Sequence, residues 1–235
     1  MESLIPVLTI DGPGGTGKGT VSRLIAHKLG WHLLDSGILY RALAMVAHKH
    51  QLGPDNVDAL NALARDLDIQ FVIEDQTKDS TETNARILLE NEDVTEVIRT
   101  DRWANPASII AVIPSVRTAL LARQQAFYQA PGLVADGRDM GTVVFPHAFL
   151  KIFLNASCEE RADRRYAQLK KRGISANLDD ILRELQERDM RDASRAVSPL
   201  KAAADAVYID TTQLSVVQVV ACVLEELNKR TIPLI

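Results

Sequence analysis

Residues 9–20 read TIDGPGGTGKGT, an apolar run that closes on Asp11 and opens into glycines, hydroxyls and one lysine. Glycines in such a loop let backbone N–H groups converge on phosphate oxygens with no Cβ in the way. A helix starting directly afterwards adds its dipole to the same anion, and VSRLIAHKLG has the pattern of one. Lys18 is placed to reach the terminal phosphates, with Gly12, Pro13, Gly14, Gly15, Thr16, Gly17, Gly19 and Thr20 as the cradle. The strict spacing G-x-x-x-x-G-K-[ST] holds from Gly12 to Lys18 and then departs: Gly19 stands where the hydroxyl belongs, and Thr20 comes one later. One residue along a helix turns a side chain by about 100°, so a metal contact from Thr20 is left open. Strand, spacing, lysine and helix together predict a nucleoside triphosphate site.

Three further stretches are dense in charge. Residues 134–142, VADGRDMGT, end an apolar run in Asp136 and set Arg138 and Asp139 between Gly137 and Gly141, which are expected to let the chain bend. Arg188, Asp192 and Arg195 fall at i, i+4 and i+7, so one helix face presents all of them. Such stretches are either solvated ion-pair surfaces or fingers for a small charged molecule, and charge alone favours the surface. Residues 157–172 carry Arg161, Arg164, Arg165, Lys170, Lys171 and Arg172. That basic run suits a lid over a transferring phosphoryl group, or else a solvated helix.

The elements that must hold these residues alternate in type. LIPVLTI, WHLLD, GLVAD, FLKIFLN and DAVYID read as buried strands. Between them lie helical patterns. Asn177 is an N-cap for a helix whose Leu178, Ile181, Leu182 and Leu185 form a core stripe. Pro114 opens another that carries Val116, Leu120 and Phe127, and Ser157 with Glu160 forms a capping-box pattern for a third that stops at Gly173. This alternation predicts an α/β fold with a parallel sheet covered on both faces. LDIQFVI and ARILLENEDV around the polar tip EDQTKDSTET break the alternation and predict a small antiparallel lobe over 67–97.

The chain has 235 residues, enough for one domain or one domain with an inserted lobe. Its 27 Lys and Arg against 31 Asp and Glu argue against a nucleic-acid coat or a membrane-surface role, since both need a basic face. Cys158 and Cys222 have no metal-like or redox-like spacing and read as small apolar residues in a reducing compartment. No secretion signal is read at the start and no apolar run approaches the ~20 residues of a membrane span, so a cytoplasmic protein is expected.

The loop with Gly-Thr after its lysine resembles that of nucleoside monophosphate kinases. HLLDSGILYRALA, ADGRDMGTVVFP and RDASRAVSPL, in that order, closely resemble bacterial cytidylate kinases, and the likeness runs over nearly the whole chain. The resemblance implies a P-loop kinase fold, with a five-stranded parallel sheet flanked by helices. It implies a core from 1–66 and 98–235, a helical lid at about 157–175, and 67–97 as the inserted lobe of the monophosphate-binding region. The implied reaction is ATP-dependent phosphorylation of CMP and dCMP to CDP and dCDP by direct in-line transfer. Arg41, Arg138 and Arg195 match the arginines the family uses for the CMP phosphate, which guanidiniums bind bidentately. Arg188 and Asp192 match its ribose contacts, and Ser36 joins the CMP site. Asp139, with Arg117 and Ser108, matches its base contacts. A carboxylate accepting from N4 of cytosine would face the acceptor O4 of uracil, a mismatch that can cost a factor of about 10⁴. Lys18, Arg161 and Arg165 match the cations around the moving phosphate. Mg²⁺ is expected with ATP, held largely through water, with Asp136 as a water-organising acid. The implied partners are ATP and CMP or dCMP, with no nucleic acid and no membrane, and a monomer suffices. Two rivals stand beside this reading: a P-loop kinase for another small acceptor such as UMP, AMP or shikimate, and a nucleotide switch with no second phosphate site.

Overall fold

The apolar runs become β1 (Val7–Asp11), β2 (His32–Asp35), β6 (Leu133–Gly137), β7 (Leu150–Asn155) and β8 (Val207–Asp210), numbered in chain order. They form one parallel sheet in the order β2-β6-β1-β7-β8. The computed structural model describes residues 5–73 and 85–230. Every residue of β1 and β6 is buried, which a parallel strand covered on both faces requires.

Each face of the sheet has its own core. Leu8, Ile10, Val134, Leu150, Ile152 and Leu154 pack with residues of α1 (Lys18–Leu29) and α9 (Val216–Asn228). Val7, Leu34, Leu133 and Ala135 pack with α2 (Ser36–Lys49), α3 (Val57–Arg65), α4 (Thr95–Ile98), α5 (Ala104–Ile110) and α6 (Pro114–Gln125). Leu43 of α2 sits at the centre of the second core with no exposed surface. Leu43→Ala is expected to lower the unfolding free energy by about 3 kcal/mol. Urea melts should show this as a lower midpoint at unchanged slope.

β3 (Ile69–Ile73), β4 (Ala85–Leu89) and β5 (Glu92–Asp93) form the antiparallel sheet expected between the main strands, with Ile69 opposite Leu89 and Phe71 opposite Ile87. Ile69, Ile87 and Leu89 are buried in the same core as α2 and α6, so the small sheet packs on the main body rather than on a core of its own. The polar tip EDQTKDSTET lies outside the described residues.

α7 (Cys158–Lys171) and α8 (Leu178–Ala193) pair through a separate small cluster of Ala162, Leu169 and Ile181. Ser157 caps α7 by accepting from the Glu160 amide, but the reciprocal half of the capping box is absent: Glu160 turns to Arg164 and the Ser157 amide donates to Thr212. Asn177 caps α8 as expected. Two expectations are corrected. Leu178, in the first turn of α8, is 39% exposed and stands outside the stripe that Ile181, Leu182 and Leu185 form. Arg195 lies past the end of α8 and is not on its face; it reaches back to Asp192 from the following turn.

Candidate active site

The carboxyl ends of the parallel strands carry acids, and the chain turns there into the segments that sequence singled out. Asp11 ends β1, Asp35 ends β2, and Asp136 lies opposite Asp35 in the strand register. Loops at this edge of a parallel sheet are where α/β folds bind ligands. The cleft above it has a volume of about 1260 Å³, more than one drug-sized ligand needs and enough for two nucleotides.

The glycine loop leaves β1 through Gly12, whose φ of 149° and closeness to β7 exclude any side chain; a Cβ there would lie 2.0 Å from the Leu154 carbonyl oxygen. The loop then enters α1 with Gly17 left-handed at the N-cap. Gly14 to Thr20 line the cleft, while Gly12 and Pro13 lie beneath the lining. Lys18 is buried, and its Nζ donates to the Pro13 carbonyl at 3.0 Å, as the Thr16 hydroxyl does at 3.2 Å. Burial, then the nearby Arg138 guanidinium, pull the Lys18 ammonium down to about 7 against the attraction of Asp136. The departure from the strict loop motif brings Gly19 against Asp136. A Cβ on Gly19 would lie 3.3 Å from Asp136 Oδ2, a contact the carboxylate would have to ease by a few tenths of an ångström. Thr20 is exposed at the cleft, where its Oγ1 accepts from Arg23 at 3.4 Å.

Asp136 is buried, and its carboxylate accepts no hydrogen bond from the described residues. Burial pushes its pKa well above the carboxylate range, with Lys18 pulling the other way. Asp11 has a different task. Its two oxygens accept from the Met140 and Gly141 amides at 2.9 and 2.8 Å, fixing the π-helical turn Met140–Val144 after the charged segment. Burial raises the pKa of Asp11 to about 6 despite those bonds. Gly137 and Gly141 are not there to let the chain bend, since neither has a left-handed φ. They are glycine because there is no room: a Cβ on Gly137 would lie 2.6 Å from Ser36 Oγ, and one on Gly141 would lie 2.8 Å from Thr9 Oγ1.

Charges from three helices and two loops converge along the cleft, and two of them reach the glycine loop: a Cβ on Gly14 would lie 3.5 Å from the Arg138 guanidinium and 3.6 Å from that of Arg188. Asp139 pairs with Arg117 of α6, both buried, and Arg117 also donates to the Ala111 carbonyl at 3.1 Å. The Tyr40 ring lies 5.7 Å from that guanidinium, and burial raises the Tyr40 phenol to about 12. Arg138 donates from Nε to Asp192 at 2.8 Å, and Arg195 donates to the other oxygen of Asp192. Burial alone would raise the pKa of Asp192, but Arg138, Arg195 and Arg188 together hold it below the usual range. Burial, with Arg138 next, lowers Arg188 to about 10. Arg41 donates to the Ile98 and Thr100 carbonyls at 2.9 and 3.1 Å. Ser36, buried at the start of α2, and Ser108 complete the lining. The Nε donors of Arg117, Arg188 and Arg195 are buried with no acceptor, a costly arrangement that an anionic or hydroxyl-rich ligand would relieve.

The two arginines expected on the lid differ in surroundings. Arg161 is buried, with its donors engaged: Nε by the Ala156 and Ser157 carbonyls, one terminal nitrogen by the Gly14 carbonyl at 3.0 Å, the other by Asp189 at 2.6 Å. It braces the glycine loop against α7 and α8. Arg165, one turn on, faces the cleft and pairs with Asp101 across it. Sequence reasoning did not single out Asp101, Asp189, Tyr40 or Arg191, nor the anchoring role of Asp11. Arg191 had one usable signal, its place between Arg188 and Asp192 on a helix already marked as charged.

The family model for cytidylate kinase matches residues 8–229. A cytidylate kinase of Marinomonas sp. (strain MWYL1) is 55% identical over 224 residues, covering 95% of this chain and 96% of its own. One of Stutzerimonas stutzeri (strain A1501) is 56% identical over 226 residues, covering 96% of each. Among solved structures, an uncharacterized protein from Eubacterium ventriosum ATCC 27560 superposes with a TM-score of 0.50 at 8% identity, over 96% of this chain and 99% of that one. That last likeness speaks to the fold alone.

Proposed function

The chain belongs to the cytidylate kinase family, and from that premise we propose how its own residues carry the phosphorylation of CMP and dCMP by ATP. The observation that carries the proposal is one cleft that joins a phosphate cradle to buried arginines with unpartnered Nε donors and to a carboxylate with a free oxygen. A nucleotide switch has no use for that second set of groups.

Gly14 to Thr20 bind the triphosphate of ATP through backbone N–H groups, with Gly12 and Pro13 shaping the loop from below. Lys18 swings from the Pro13 carbonyl to the β- and γ-phosphates. Arg41, Arg138 and Arg195 hold the acceptor phosphate, and Arg188 and Asp192 the ribose. Asp139, Arg117 and Ser108 read the base, and Ser36 closes the site beside Gly137. Transfer is direct and in line. No side chain becomes phosphorylated, and the protein contributes position and positive charge. Arg165 neutralises the moving phosphoryl group from the lid once it leaves Asp101. Arg161 acts on the same phosphates from behind, through the loop it braces.

Mg²⁺ fits this site as a water-coordinated partner of the phosphates. Among the described residues no cluster of three or more His, Cys, Asp or Glu side chains would cage a metal. Asp136 offers a buried carboxylate without a protein donor at the edge of the cradle, with Asp35 opposite it in register. When bound, the ion screens the charge that builds on the phosphate oxygens. Asp136 would hold one of its waters, and the exposed Thr20 hydroxyl another or a phosphate oxygen. The same proposal takes 67–97 as the acceptor-side lobe and about 157–175 as the lid, on a core of 1–66 and 98–235. It also takes the protein as a cytoplasmic monomer that works without nucleic acid or membrane. No single helix among the described residues is long and apolar enough to cross a bilayer.

The test is ADP release with Mg·ATP and each of CMP, dCMP, UMP and AMP, beside thermal melts with CMP alone. CMP and dCMP should turn over far better than UMP or AMP. CMP at a hundredfold excess over its Kd should stabilise the protein by about 2.7 kcal/mol without any triphosphate. Turnover favouring UMP or AMP would overturn the acceptor assignment. A shift with ATP and none with CMP would favour a switch.

A further inference from the structure

Ser108 presents an unusual hydroxyl. It is 4% exposed, sits in α5 and lines the same cleft as Asp139. A buried helical serine commonly donates to the carbonyl one turn earlier. Ser108 donates to no acceptor among the described residues. Its Oγ instead accepts from Arg191 Nε at 3.3 Å, across 83 residues of sequence. Arg191 is held to the same helix at a second point, where its terminal nitrogen donates to Asn105 Oδ1 at 2.9 Å. The half-buried guanidinium thus grips α5 as a fork, one tine on Asn105 and one on Ser108.

A guanidinium only donates. The bond therefore fixes Ser108 Oγ as the acceptor, and its proton is left to point along one of the remaining directions, toward the cleft. Donation from a cation also polarises the O–H group, making it a stronger donor and a weaker acceptor. Cytosine and uracil differ in this respect on their pairing edge. N3 of cytosine is an acceptor, whereas N3 of uracil carries a hydrogen and donates. We propose that Arg191 is a specificity-determining positioning residue: it sets the polarity of the Ser108 hydroxyl so that Ser108 donates to the cytosine edge and disfavours uracil. Asp139 then tests the N4 side of the base and Ser108 the acceptor side, each rejecting uracil independently. The inference rests on the proposed reading of Ser108 as a base contact.

The experiment compares kcat/KM for CMP over that for UMP in wild type, Arg191→Met, Ser108→Ala and the double variant. Arg191→Met is expected to lower the CMP/UMP ratio about tenfold, the effect of one oriented hydrogen bond. Ser108→Ala should lower it as much, and the double variant should match Ser108→Ala alone. Asn105→Ala, which loosens the fork without removing it, should shift the ratio the same way by a smaller factor, and covers the case in which Arg191→Met does not fold. Additive losses in the double variant, or an unchanged ratio in Arg191→Met and Asn105→Ala while Ser108→Ala lowers it, would overturn the role of Arg191 and leave Ser108 as a base reader. An unchanged ratio in Ser108→Ala would overturn the base-contact reading and this inference with it.

Discussion

Asp139→Ala is expected to lower kcat/KM for CMP by about 10³-fold while leaving turnover with UMP nearly as poor as before. In the protein without nucleotide, Asp139 gives one oxygen to Arg117, and Oδ1 accepts from none of the described residues. That oxygen is the one available to the amino group of cytosine. Its loss removes the only contact in the proposal that turns O4 of uracil into a repulsive partner. It also strands Arg117, which is 7% exposed and already has an unpartnered Nε. Breaking a buried pair from one side destabilises by about 3 kcal/mol, so activity must be compared at a temperature where the variant is folded. Asp139→Asn separates the two effects. It keeps an acceptor for Arg117 and presents an amide N–H₂ that suits O4 of uracil, so the UMP/CMP ratio should rise above that of the alanine variant. Steady-state kinetics with both acceptors at fixed Mg·ATP reads this directly. An Asp139→Ala enzyme with wild-type selectivity would place base reading elsewhere.

The sequence makes the order of elements legible because hydrophobic period is a local property. Five apolar runs bounded by Gly, Asp and Asn become the five parallel strands, and each helix start marked by Asn177, Pro114 or Ser157 is where a helix begins. The phosphate loop is legible for the same reason, since its chemistry lies within 9 consecutive residues, Gly12 to Thr20. What the sequence hides is long-range. Gly19 reads as a motif defect until Asp136 of β6 is seen beside it. Gly137 and Gly141 read as hinges, yet they answer to Ser36 and Thr9, far away in the chain. Arg161 and Arg165 share a helix face and look equivalent, but the glycine loop and Asp189 capture the first while the second faces the cleft. Charge spacing on one helix cannot distinguish them, because the deciding partners come from other elements.

Lys18→Met should cost about 10³-fold in kcat, the loss of one preorganised cation at the transferring phosphate. Unlike most losses of a buried polar contact, it should raise the melting temperature of the nucleotide-free protein near pH 6. The ammonium is buried and drawn down to about 7 from an ordinary value of 10.5. Between those values the unfolded chain binds more protons than the folded one, so stability rises with pH across that window and the penalty is complete below it. Burial raises the pKa of Asp136 too, so lowering the pH also lessens the carboxylate charge that removing Lys18 would strand. The stabilisation by methionine should therefore be largest at pH 6 and shrink toward pH 10. The same shift makes ATP binding a proton-linked event. Phosphate charge favours the ammonium form, so binding at pH 8 should take up a proton, and affinity should weaken as pH climbs above 7. Calorimetry of ATP binding in two buffers of different ionisation enthalpy measures that uptake, and Lys18→Met should abolish it. Equal heats in both buffers for wild type would mean that Lys18 is already charged before nucleotide arrives, and the predicted pH dependence of stability would fail with it.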